Sequence, residues 1–94
     1  MSVISWTDEG EEMYLAHLRF LLNNFPASVA IRFDERLENL LRRLGSFGEL
    51  CPASSEIPHL RKCLIDAYNS LIYRIEGENI KIIAIVDNRS NHGF

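Results

Sequence analysis

The stretch Leu60 to Arg89, LRKCLIDAYNSLIYRIEGENIKIIAIVDNR, constrains this chain most. It reads as three short strands joined by two tight turns. Asp66-Ala67-Tyr68-Asn69 and Glu76-Gly77-Glu78-Asn79 are the turns, polar or glycine-bearing clusters between β-rich runs. Ile80 to Val86 is the strongest strand. Simple alternation puts Ile80, Ile82, Ala84 and Val86 on one face and Ile83 and Ile85 on the other. A strand that is apolar on both faces is normally covered on both sides, so this one belongs inside a small antiparallel sheet. Leu71, Tyr73 and Ile75 alternate with Ser70, Arg74 and Glu76, and Ile72 interrupts the pattern. That predicts a strand with one buried face and one wet or functional face.

A chain of 94 residues makes one domain. No apolar run approaches the roughly 18 residues that a membrane span needs. The opening MSVISWTDEGEE lacks the basic and then apolar regions of a secretory signal, so a cytoplasmic location is expected. Cys51 and Cys63 are too few for a disulfide framework, and without an export signal they are expected to be reduced thiols. The net charge of −3 is uneven: residues 1–50 hold eight acidic and five basic side chains, residues 51–94 five of each. An acidic chain is a poor general nucleic-acid binder, because such binding rests on neutralising phosphates. A local basic patch on the sheet remains open, since Arg61, Lys62, Arg74, Lys81 and Arg89 all fall in or beside the strands, with His59 and His92 nearby. No phosphate loop, metal cluster or nucleotide fingerprint is visible, and no cofactor is expected.

Before this region, Ser2 to Trp6 predicts a first strand. Thr7 suits a helix N-cap, with Asp8 and Glu9 favoured by the dipole in the first turn. Gly10 weakens that turn. Helix one is expected from about Asp8 to Asn23, burying Tyr14, His17, Leu18, Leu21, Leu22 and Phe25 at helical spacing. His17 in that stripe reads as a satisfied core or boundary histidine. Pro26 ends the helix before it and starts the next. Helix two, to about Leu44, buries Ala30, Phe33, Leu37, Leu40, Leu41 and Leu44, and Gly45 is its expected stop. The helices form an antiparallel hairpin that needs the sheet as its third surface. Residues 45–58 form a long loop, expected to be tacked down by Phe47, Leu50 and Ile57, and loops of that length often serve function.

The order is thus strand, helix, helix, loop and a three-stranded meander, an α+β fold. Within it stand Leu60-Arg61, then Tyr68, then Leu71-Ile72-Tyr73-Arg74-Ile75, Ile80 to Ile85, and a polar end bearing an arginine. This arrangement resembles the RelE/ParE superfamily of small bacterial toxins, the toxic halves of type II toxin–antitoxin (plasmid stabilisation) modules. The resemblance covers nearly the whole chain and rests on the order of several loose motifs. It implies one of two mechanisms. RelE-like members are ribonucleases that cut messenger RNA on the ribosome, and ParE-like members poison DNA gyrase without chemistry of their own. Both imply a cognate antitoxin as partner.

For a ribonuclease, the resemblance assigns Arg61 and Arg89 to charge stabilisation and His92 to proton transfer, helped by His59 or Lys62. Arg74 and Asn88 complete the expected functional patch. The chain departs from that pattern: the paired lysines of basic members are reduced to His59 and Lys62, Phe94 stands where a terminal tyrosine is usual, and the net charge is negative. Arg61 and Arg74 are also compatible with pairing to Glu56, Glu76 or Glu78 across the sheet, Arg74 more readily than Arg61. The leading expectation is therefore a ParE-like growth inhibitor that binds a protein target. The alternatives are a metal-independent endoribonuclease and a degenerate, non-toxic member. The open edges of a small sheet are also expected to invite a partner segment.

Overall fold

The computed structural model describes residues 2–90 and 92–94. Its elements follow the expected order: β1 (Ile4–Trp6), α1 (Asp8–Asn24), α2 (Ala27–Ser46), β2 (Arg61–Leu64), β3 (Asn69–Glu76) and β4 (Asn79–Asp87). The strands form one sheet in the order β1-β4-β3-β2. The meander β2-β3-β4 is antiparallel. β1 pairs with β4 in parallel, Ile4 opposite Ile80 and Trp6 opposite Ile82, so the four-stranded sheet is mixed. The helical hairpin covers one face, and β4 in the middle of the sheet is flanked by strands on both sides.

The alternation along β4 does not run straight through. Tyr73 pairs with Ile82 and Ile72 with Ala84, which leaves Ile83 as an extra residue in a β-bulge. A bulge flips the facing of everything beyond it. Ile80, Ile82 and then Ile85 therefore pack under the helices with Leu21, Phe33, Leu37, Leu40, Leu44, Leu71 and Tyr73. Ala84 and Val86 pack on the opposite face with Leu60, Ile72, Ile57, Ile83 and Phe94. The simple two-face assignment from the sequence fails at Ile83 for this reason.

The bulge is also where α1 docks. The Thr7 N–H donates to the Ile82 carbonyl at 2.9 Å, and the Thr7 hydroxyl reaches the Ile83 carbonyl at 3.4 Å. Thr7 is the N-cap as expected, its hydroxyl accepting the Gly10 N–H at 3.0 Å. Gly10 is buried against β4: a Cβ there would lie 2.9 Å from the Ile82 carbonyl oxygen and 3.2 Å from that of Ile83. The glycine that weakens the helix on propensity alone is what lets the helix approach the sheet.

Several expected details are corrected. In α1 only Leu21 of the apolar stripe is fully buried; Leu22 is 56% and Phe25 48% exposed, and Phe25 lines an open groove between the closed end of the hairpin and the sheet. α2 continues through Gly45 to Ser46, with the Phe47 N–H closing on the Arg43 carbonyl, so Gly45 is not its stop. The Gly45 carbonyl instead accepts the Ser2 N–H at 3.0 Å, at the start of β1. Leu50 and Ile57 do tack the long loop down, whereas Phe47 is 57% exposed. Cys51 and Cys63 are not free thiols but a disulfide joining the loop to β2. The outer edge of β2 is partly covered as well: the Ser54 N–H bonds the Leu60 carbonyl at 2.7 Å, and the Lys62 N–H bonds Pro52 at 3.1 Å.

Candidate functional site

Cross-strand pairing sorts the predicted residues onto two faces. Lys62 lies opposite Ile72, and Arg74 opposite Lys81. Ile72 packs on the face away from the helices, and Arg74 is two residues further along the same strand, so Lys62, Arg74 and Lys81 share that outer face. Directly opposed side chains lie about 5 Å apart at Cβ, and diagonal neighbours about 7–8 Å, which makes these three cations one patch. Arg74 is paired with Glu76, which offsets part of its repulsion with Lys81. The C-terminal tail folds onto the same face. Phe94 packs against the Leu60, Ile72, Ala84 and Val86 cluster, and its carbonyl accepts the Ser54 hydroxyl at 2.9 Å. The His92 ring lies tilted 6.0 Å from that of Phe94, and its Nδ1 accepts the Phe94 N–H at 3.1 Å.

Arg61 and Arg89 do not join that patch. Arg61 pairs with Tyr73 on the helix side, and its guanidinium donates to the Cys51 carbonyl at 2.7 Å. Tyr73 donates its hydroxyl to the Gly48 carbonyl at 2.6 Å, and burial pushes its pKa up. Arg89 lies beyond Asp87, which pairs with Asn69, four residues from Tyr73 along β3. That spacing corresponds to about 13 Å of strand between the two ends. Arg89 bonds both carboxylate oxygens of Asp87, at 3.0 and 2.8 Å, and lies 4.8 Å from the ring centre of Tyr68. These hydrogen bonds hold the exposed Asp87 carboxyl down at about 2. Asn88 ties the turn: its Oδ1 accepts the buried Ser70 hydroxyl at 2.5 Å and its N–H donates to the Tyr68 carbonyl at 2.7 Å. His59 is exposed, just before β2.

A groove opens at each end of the hairpin. The larger, about 810 Å³, opens between its closed end and the β3–β4 end of the sheet; Phe20, Phe25 and Val29 form one wall and Tyr68, Asp87 and Arg89 the other. His17 stands inside it with its ring edge against Phe33, 4.6 Å between centroids. Its buried Nε2 has no hydrogen-bond partner among the described residues, so it is a boundary histidine but not a satisfied one. Burial lowers its pKa, opposed by the charges of Asp66 and Asp87. The smaller groove, about 470 Å³, lies at the other end under Trp6, Tyr14 and Leu37, rimmed by Glu11, Asp34 and Glu38. There the Tyr14 hydroxyl donates to Asp34 at 2.7 Å, and burial together with that carboxylate raises its pKa to about 12.

Lys81 belongs to the basic patch expected on the sheet but was not assigned to the functional patch itself. Its signal was present, since it alternates with Ile80 and Ile82 and must face away from them. The grooves left no comparable signal, because they depend on how far the hairpin overhangs the sheet.

No family model matches the sequence, and no curated protein matches it. Solved structures do. The chain is similar to one from the chromosomal ParDE TA system of P. aeruginosa, with a TM-score of 0.77 at 18% identity, over 93% of this chain and 96% of that one. It is similar to the YoeB/ParE toxin from Agrobacterium tumefaciens, with a TM-score of 0.66 at 16% identity, over 92% and 98% of the two chains. A chain of the YoeB–YefM complex from Staphylococcus aureus matches with a TM-score of 0.65 at 16% identity, over 92% and 95%. With the element order, the mixed sheet and these likenesses together, the chain has the fold of the RelE/ParE-type toxins.

Proposed function

We propose that this chain is the toxin of a type II toxin–antitoxin system, a cytoplasmic growth inhibitor that acts by binding a protein target, for which DNA gyrase is the family precedent. The observation that carries this reading is the separation of Arg61, beside Tyr73 in the middle of β3, from Arg89, beyond the Asn69 end of that strand, with both guanidiniums already bonded within the chain. Charge stabilisation of a phosphorane needs its donors aimed at one point, and these are not. The likeness to the ParDE chain supports the same reading. A partner is expected on physical grounds: Phe20, Leu22, Phe25, Val29 and Ile31 are exposed on the hairpin, and apolar surface of this kind marks an interaction site. A cognate antitoxin fits that role, and the YoeB–YefM assembly is a precedent in the same fold.

One observation favours a second reading, a ribosome-dependent endoribonuclease. Lys62, Arg74 and Lys81 share a face with the His92-bearing tail. In that reading Lys62 and Lys81 supply charge and His92 the proton. The two are separated by inducing the chain in a bacterial host and following growth, gyrase-mediated DNA breaks and messenger cleavage together. Growth arrest with DNA breaks and intact messenger is expected. Codon-positioned cleavage that disappears in Lys81→Ala or His92→Ala would reverse the assignment. Unimpaired growth would point to a non-toxic member of the fold.

A further inference from the structure

We propose that Cys51–Cys63 is a reversible redox site that takes a dithiol reductant, and that its opening releases the strap formed by residues 48–54 from the edge of β2. The bond spans 12 residues and joins an irregular loop to a strand of the core sheet. Its two sulfurs differ in access: Cys63 is 2% exposed, while Cys51 is only half-buried. Thiol–disulfide exchange requires a thiolate to reach one sulfur in line, so attack falls on Cys51.

One thiolate of the reductant bonds to the Cys51 sulfur, and the Cys63 sulfur leaves as thiolate and takes a proton. The second thiol of the reductant then displaces Cys51 from the mixed disulfide, and Cys51 takes a second proton. The reductant ends as a disulfide, and the chain has gained two electrons and two protons.

What the bond restrains is visible around it. The Cys51 carbonyl holds the Arg61 guanidinium, the Gly48 carbonyl holds the Tyr73 hydroxyl, and the Pro52 carbonyl and Ser54 N–H occupy the β2 edge at Lys62 and Leu60. Apart from the bridge from Ala53 to Arg61, the strap has no regular pairing of its own. With the covalent tie cut, the strap keeps only a few hydrogen bonds at a partly wet edge, and such segments open locally without global unfolding. Opening frees the guanidinium of Arg61 and bares the N–H of Lys62 and the carbonyl of Leu60, groups that pair with an extended segment. The oxidised chain is thereby closed at this edge and the reduced chain open.

The test uses the full chain, purified without reductant, then treated with dithiothreitol, then freed of it and incubated with oxidised glutathione, whose disulfide takes back the two electrons and two protons. Thiol counting is expected to give none, two and again none. Amide exchange at Ser54 and Lys62 is expected to accelerate about tenfold or more on reduction, while Leu71 and Ile85 keep their protection. The double variant Cys51→Ser with Cys63→Ala is expected to exchange like the reduced chain in either condition. Two thiols counted in the untreated protein after air exposure would overturn the proposal. So would unchanged exchange at Ser54 and Lys62, and so would loss of protection throughout the sheet, which would make the bond a plain structural staple.

Discussion

Gly10→Ala tests the docking of α1 on the β4 bulge. On helix propensity alone the substitution should stabilise, by about 0.5–1 kcal/mol. The structure opposes this. The new methyl would stand 2.9 Å from the Ile82 carbonyl oxygen, 3.2 Å from that of Ile83 and 3.1 Å from the Thr7 hydroxyl. Two of these three are backbone atoms of a central strand and cannot swing away. Lifting the helix to relieve them strains the Thr7 contacts to Gly10 and Ile83. Overpacking of this kind costs about 1–3 kcal/mol, and the N-cap bond at risk is worth about 1 kcal/mol. The net expectation is a loss of about 1–2 kcal/mol. For a domain of 94 residues that lowers Tm by about 5–15 °C. Gly45→Ala is the internal control. It lies in α2, and its added Cβ meets only Ile4 Cδ1 at an ordinary 3.9 Å. It should raise Tm by a few degrees, reflecting about 0.5–1 kcal/mol of propensity. Thermal melts followed by circular dichroism, in one redox state throughout, decide between them. A Gly10→Ala chain that melts at or above the parent would refute the close-approach argument.

Two further outcomes follow from the electrostatics. His17 has a folded pKa below its ordinary 6.5, so below that pH the unfolded chain binds more protons than the folded one and stability falls as the solution is acidified. Urea midpoints measured from pH 7.5 down to 5.5 should decline less steeply in His17→Leu, and equal slopes would remove His17 as the cause. At the sheet end, Arg89→Ala should return the Asp87 carboxyl from about 2 toward the ordinary 3.8, read by carboxyl carbon NMR; an unmoved Asp87 would show that Arg89 does not set it.

Much of the architecture is legible in the chain itself. The alternating runs at Leu71–Ile75 and Ile80–Val86, the turn at Glu76-Gly77-Glu78-Asn79, the Thr7 cap and the Pro26 break each carry a local physical signal. Local signals are enough where the deciding interactions lie within a few residues. The same holds for one half of the outer patch: period-two alternation places Arg74 and Lys81 away from the core once the strands are known.

What local sequence does not hold is anything set by contact between distant segments. The bulge at Ile83 arises where α1 settles on β4, and it decides which isoleucines face the helices. The Cys51–Cys63 bond depends on a loop folding back along β2, which composition argued against. Arg61 and Arg89 look alike in the sequence as cations at strand ends. Only the register of β2 on β3 and of β3 on β4 sets them four residues apart along β3, where a loop carbonyl claims one and Asp87 the other. Periodicity specifies which side of a strand a residue occupies; distance between two side chains is a property of the pairing, and pairing is settled by the packed sheet as a whole.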